Sequence, residues 1–228
     1  MARLARVVAP NYPHHIIQRG NRRQDVFFCD ADKELYIDLL RKNASKYGLE
    51  VLAYCLMSNH VHLIAIPRNV ESLGKGIGET HKWYTATVNR RNNWNGYLWQ
   101  GRFMSFVLDE KYLQSAIRYV ELNPVKAKIV QHAQDYKWSS ARAHILGKKD
   151  MLCDTSHELV SHIDDWEPYL SEVTAVKDNY NELFEKHSQT GRPLGDDTFM
   201  RRIEDITGRP LKKQKPGPKK KELSDVSP

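Results

Sequence analysis

The sequence predicts an α+β fold of the ferredoxin-like, split βαβ kind. An antiparallel sheet carries helices on one face, followed by a C-terminal helical appendage and a disordered basic tail. Three observations predict it. Short β-branched apolar runs alternate with helical repeats in the order β-α-β-β-α-β-α. The helical repeats begin at polar or acidic caps and stop at Gly or Pro. The last twenty residues include KKQKPGPKKK, at 212–221, which has no aliphatic or aromatic side chain to bury.

The elements follow in order. HHIIQ at 14–18 reads as a short strand and runs into RGNRRQ, a basic turn with Gly20 and Asn21 as breakers. Asp30 is the expected cap of a helix with Leu35, Leu39 and Leu40 on one face and Gly48 as its stop. Residues 50–57, EVLAYCLM, read as a strand, and Ser58 and Asn59 turn the chain into SNHVHLIAIP, a second strand ending at Pro67. A Gly-rich stretch precedes a helix over about 80–92. GYLWQGRFMSFVLD, 96–109, reads as one or two strands broken at Gly101. Asp109 then caps EKYLQSAIRYVEL, a helix that Pro124 ends or kinks.

Charge and composition divide the chain into a domain at 1–150, a small helical region at 151–208 and a tail at 209–228. Their Lys+Arg against Asp+Glu counts are 23 to 13, 5 to 13 and 7 to 2. The first part is basic, which points to an anionic partner, and nucleic acid is the commonest. An excess of solvated lysine is the bland alternative. TGRPL occurs at 190–194 and again at 207–211, read as paired helix-stop turns in a small helical unit separate from the first domain. Three dispersed cysteines in no CxxC spacing argue for a reducing compartment. No apolar run is long enough for a membrane helix or a signal peptide, so a cytoplasmic, nucleoid-associated protein is expected.

On a strand, residues i and i+2 share a face, so His60 and His62 stand side by side. Alone they are surface or core histidines, or a metal chelate that lacks a third ligand. In RYVELNPVKA, Tyr119 and Asn123 are one helical turn apart. Tyr119 either packs or supplies a nucleophilic phenol; Asn123 either caps the helix beginning at Pro124 or supplies a carbonyl oxygen to a metal. Arg19, Arg22 and Arg23 in RGNRR, Lys126, and Arg102 beside Trp99 and Phe103 are candidate DNA contacts, with solvated charge and core aromatics as the alternatives.

HHIIQRGNRRQDVFF, MSNHVHLIAIP, LWQGRF, RYVELNPVKA and YKWSS (136–140) occur in this order. Together they resemble the HUH single-tyrosine transposases, and most closely their REP-associated tyrosine transposase branch, over about 8–145. The resemblance implies a single-stranded DNA transposase and endonuclease that cuts and rejoins DNA beside hairpins, by itself or as a homodimer. It implies Tyr119 as nucleophile in a 5′-phosphotyrosine, and His60, His62 and Asn123 as ligands of Mg²⁺ or Mn²⁺. It also implies that the RGNRR region reads guide bases at the hairpin foot. A catalytically silent DNA-binding protein on the same scaffold is the alternative. A histidine-triad hydrolase would need a further His where Ile64 stands, and a plasmid relaxase would use an early tyrosine such as Tyr12 with a three-His cluster.

Overall fold

A computed structural model describes residues 5–161, 163, 165–171 and 180–211. The KKQKPGPKKK tail expected to be disordered lies outside them. Four strands, β1 (His14–Arg19), β2 (Leu49–Leu56), β3 (His60–Pro67) and β4 (Met104–Val107), form one sheet in the order β2-β3-β1-β4. Every pairing is antiparallel, and β1 and β3 are central. The helices over the first part are α1 (Asp30–Tyr47), α2 (Ser72–Asn92), α3 (Leu113–Glu121), α4 (Asn123–Lys126) and α5 (Ala141–Leu146). Then come α6 (Glu158–Ser161), α7 (Trp166–Ser171), α8 (Tyr180–Thr190) and α9 (Asp197–Thr207).

The β1–β3 register sorts side chains onto two faces. Arg19 pairs with His60, Ile17 with His62 and His15 with Ile64, so these share one face. Phe106 of β4 pairs with His15 and Cys55 of β2 with His62, extending that face across the sheet. Ile16, Leu63 and Tyr54 lie on the other, where Tyr54 lines a cleft with Glu34, Ile37 and Asp38 of α1. Helices therefore cover both faces: α1 and α2 one, α3 and the C-terminal α8 the histidine-bearing one. The expectation of helices on one face describes α1 and α2; the second layer comes from long-range packing of segments whose partners sequence spacing does not reveal.

Three local expectations change. The cap of α1 is Cys29, and Asp30 is the first helical residue. The capping carboxylate is Asp32, one turn in, which accepts from the Phe28 and Cys29 amides at 2.8 and 3.3 Å. The helix expected near 80 starts at Ser72 and contains Gly74, Gly76 and Gly78. Gly76 faces the Leu49 side chain, and a small residue there lets α2 approach β2 closely. Between 96 and 109 only Met104–Val107 forms a strand, since Trp99 makes a lone bridge to Gly20.

The region from 151 is helical, as expected, but it is not separate. Tyr180 and Phe184 are buried in the main core. Phe199, Ile203 and Leu211 form a second cluster with Val7, Ala9 and Val107. Both TGRPL copies stop helices, with Gly191 and Gly208 at φ of 70° and 64°, the left-handed conformation that favours glycine. Leu194 goes on to pair with the outer edge of β4. The YKWSS block covers the opposite edge, through Trp138 and Ser139 against Leu56 and Cys55.

Asp32 ties α1 to α2. Besides its cap bonds it accepts from Arg91 at 2.5 and 3.1 Å. Burial by itself would raise its pKa; the Arg91 and amide hydrogen bonds outweigh this and hold it below the usual carboxylate range. A depressed folded pKa gives stability that is present above about pH 4 and lost as pH falls through the folded value. Asp32→Asn is therefore expected to cost about 1–3 kcal/mol at neutral pH. The gap to wild type in urea unfolding should shrink in acid; a pH-independent gap would rule out the ionised carboxylate as its source.

Candidate active site

Five elements bring side chains to the histidine-bearing face. The β3 strand supplies His60 and His62, whose ring centroids are 5.0 Å apart. β1 supplies His15 and Arg19. From α3 comes Tyr119, its ring 5.5 Å from His62 and 5.7 Å from His15. Phe184 of α8 stacks on Tyr119 at 4.6 Å, and Tyr180 lies 5.6 Å from it. Lys126 of α4 sits over the Tyr119 ring at 4.9 Å and also donates to Asn181 Oδ1.

The position of α3 is set by a buried carboxylate two residues after Tyr119. Glu121 is wholly buried and its Oε1 accepts from Ser140 Oγ at 2.5 Å and His144 Nδ1 at 2.6 Å. His144 in turn stacks on Trp166 of α7 at 4.1 Å. An acidic side chain buried in this way is stable only with such partners. The network links the helix that carries Tyr119 to α5 and to the YKWSS segment. Cys153 is 3.7 Å from His144, but burial first, then the nearby Glu121, push its thiol well above the usual range, so it is an inert thiol.

Electrostatics keep the imidazoles neutral. Burial, then the Arg19 charge, lowers His60 to about 4. His62 lies well below the ordinary value for the same reasons, with His60 and His15 adding to burial. Neutral imidazole is the form that binds a metal. Asn59 Oδ1, an acceptor, holds His60 Nδ1 at 2.6 Å, and the Asn59 amide donates to Arg23 O at 3.2 Å. This makes His60 Nδ1 the protonated nitrogen and leaves Nε2 with a lone pair. His62 Nδ1 likewise has a partner, His15 Nε2 at 3.0 Å. Among the described residues no group of three or more His, Cys, Asp or Glu is arranged to hold a metal ion. A metal on the two imidazoles would thus need an oxygen donor from another residue type. Asn123 is suited in chemistry: it does not cap forward over Pro124, and its Nδ2 donates back to the Tyr119 carbonyl at 2.7 Å, so Oδ1 remains an acceptor.

The candidate DNA contacts separate. Arg19 belongs to the Tyr119 and His60 cluster, and its buried Nε has no hydrogen-bond partner among the described residues. Arg22 and Arg23 stand exposed in a 3-10 turn, Asn21–Arg23, at φ of 52° and 61°. Gly20 is needed at its entry because a Cβ there would meet the Gln24 carbonyl oxygen at 2.1 Å. Arg102 is exposed, but its neighbours Trp99 and Phe103 are core residues and offer no stacking face. Trp99 packs with Phe27, Tyr36, Tyr84 and His81, and Arg6 lies over Phe103 at 3.5 Å. The exposed aromatics are instead Phe28, Trp83, Trp94 and Tyr97. Phe28, Trp94 and Tyr97 line a cleft of about 490 Å³ with Gln24 and Asn89, beside the basic turn. Sequence reasoning missed this cleft; the signal was the WNGY run, aromatics interleaved with turn-forming residues.

Comparison with known proteins gives the family and the fold. A REP-associated tyrosine transposase of Haemophilus influenzae is 26% identical over 111 residues, covering 44% of this chain and 63% of that protein. The ISDra2 transposase TnpA of Deinococcus radiodurans is 28% identical over 115 residues, 47% of this chain and 81% of that one. The solved structure of a REP-associated tyrosine transposase bound to a REP hairpin shares the fold, with a TM-score of 0.56 at 18% identity over 68% of this chain and 92% of that chain. The profile described as "Transposase IS200 like" matches residues 9–123, which hold β1 to β4, both paired histidines, Tyr119 and Asn123. This chain belongs to the IS200-like transposase family.

Proposed function

We propose that this protein cleaves single-stranded DNA beside hairpin sequences and rejoins it through a 5′-phosphotyrosine at Tyr119. The observation that carries the reading is the convergence of Tyr119, His62, His60 and Arg19 on one face of the sheet. A protein that only bound DNA would have no use for a phenol against paired neutral imidazoles. The family and the relative solved with a REP hairpin support hairpin DNA as the partner.

The chemistry is a transesterification. Tyr119 Oη forms a bond to phosphorus while the bond from phosphorus to the 3′ oxygen breaks, and that oxygen takes up a proton to become a 3′-OH. One phosphodiester replaces another, so the reverse reaction joins a different 3′-OH without a separate energy source. Burial pushes the Tyr119 phenol up to about 12, Arg19 opposes this and Glu185 adds to it. The phenol is therefore protonated at neutral pH and gives up its proton as it attacks. Arg19 favours the negative charge that develops on Oη. His60 and His62, through Nε2, and Asn123, through Oδ1, would hold the cation. A bound Mg²⁺ or Mn²⁺ would polarise the non-bridging oxygens of the scissile phosphate. Arg22, Arg23, Arg102 and Lys126 would neutralise or read the strand, and Phe28, Trp94 and Tyr97 would stack its bases.

Tyr119→Phe should form no covalent adduct with end-labelled hairpin DNA while keeping its hairpin affinity; an adduct at the wild-type level removes Tyr119 from the mechanism. Trp94→Ala should cost about 1–3 kcal/mol in single-strand affinity, read by fluorescence anisotropy, with a wild-type value excluding the cleft as a stacking platform. Arg22→Ala and Arg23→Ala distinguish two roles. A base-reading arginine, once lost, relaxes selectivity at one foot position by about 1–3 kcal/mol. A phosphate contact lowers affinity for every foot alike and flattens the salt slope by about 0.7. An unchanged order of preference in both variants moves base reading elsewhere.

A further inference from the structure

His15 takes no direct part in this chemistry, yet it is wholly buried near the start of the central strand β1 with both ring nitrogens engaged. Its Nε2 lies 3.0 Å from His62 Nδ1, and its Nδ1 lies 2.8 Å from the Tyr180 hydroxyl. Each neutral imidazole has one N–H and one lone pair. The facing nitrogens of His15 and His62 therefore share a single hydrogen, and two arrangements satisfy them. In one, His15 Nε2–H donates to His62 Nδ1, the Tyr180 hydroxyl donates to His15 Nδ1, and His62 Nε2 carries a hydrogen. In the other, His62 Nδ1–H donates to His15 Nε2, His15 Nδ1–H donates to the Tyr180 oxygen, and His62 Nε2 keeps its lone pair. Only the second leaves His62 able to bind a cation.

His60 meets the same requirement by a local route. Asn59 Oδ1 can only accept, so it fixes the Nδ1–H form of His60. His62 has no such neighbour in sequence; its Nδ1 partner comes from β1 and the next partner from α8. We propose that His15, held by Tyr180, is a positioning residue that accepts the hydrogen of His62 Nδ1 and so leaves the His62 Nε2 lone pair available to the active site. The inference rests on the reading of His60 and His62 as metal ligands. Through His15 the C-terminal helical region bears directly on the chemistry, because α8 completes the outer support of a metal site whose ligands all lie between residues 60 and 123. Such supports commonly contribute about 10–100-fold in metal affinity.

The test uses the full chain, with Mn²⁺ as probe. Free Mn²⁺ is followed by electron paramagnetic resonance for wild type, His62→Ala, His15→Phe, His15→Gln and Tyr180→Phe. In metal-free samples, ¹⁵N–¹H correlation of the imidazoles reports the His62 tautomer. His15→Phe keeps an aromatic ring against Phe106 and Phe184 but accepts no hydrogen bond. It should weaken Mn²⁺ binding by about 10–100-fold and raise the Nε2–H population of His62. Tyr180→Phe should shift both readouts in the same direction by less. His15→Gln, whose Oε1 can accept from His62 Nδ1–H, should restore most of the affinity. Weak Mn²⁺ binding in His62→Ala beside wild-type binding and tautomer in His15→Phe overturns the role of His15 alone. Wild-type Mn²⁺ affinity in His62→Ala overturns the metal reading, and this role with it.

Discussion

The pairing of β1 with β3 is the constraint on which the site depends. Arg19 opposite His60 and Ile17 opposite His62 put a cation, two metal-type ligands and His15 on one face. A slip of one residue would send His15 and Arg19 to the other face. Burial opposes such a slip, because both faces of β1 are packed. His14 lies on the reverse face, where it accepts from the Ala9 amide at 3.2 Å and has Tyr12 O at 2.7 Å from its other nitrogen. The adjacent histidines at the start of β1 thus have opposite duties: one anchors the lead-in segment and the other stands behind the site.

Desolvation is the second organising force. Burial lowers His15 to about 3 and His14 to about 4, so both are neutral at physiological pH. A buried polar ring needs its nitrogens satisfied, and the fold supplies partners for each. The same burial raises the Tyr119 phenol, so the environment that keeps the imidazoles neutral also keeps the phenol protonated. Arg19 bears on both effects, since one cation lowers the His60 pKa and favours the Tyr119 phenolate.

The second layer of helices gives the C-terminal region its meaning. Tyr180 and Phe184 of α8 contact His15 and Tyr119, and Leu194 covers the β4 edge. Thus the acidic stretch after residue 150 completes the wall around Tyr119. On the far side, the Glu121, Ser140 and His144 network holds α3 against the YKWSS segment. Tyr119 is accordingly clamped from both ends of its helix environment by residues distant in sequence.

What was legible in the sequence was whatever local periodicity controls. The two-residue repeat of a strand put His60 beside His62, and the turn of a helix put Asn123 next to Tyr119. The alternation of elements pointed to a split βαβ antiparallel sheet. Other features depended on contacts between distant segments, which spacing does not encode. Arg19 read as one of three arginines in a basic turn, but its register opposite His60 carries it into the site while Arg22 and Arg23 remain outside. Trp99 and Phe103 read as stacking faces, yet packing against α2 and Arg6 takes them into the core, leaving Trp94 and Tyr97 exposed. His15, Tyr180 and Glu121 act through partners 47, 165 and 23 residues away. The sequence by itself determined the strand and helix identities and the chemistry-bearing pairs; the tertiary structure alone decided what stands behind them, because hydrogen bonds and burial join residues by distance in space.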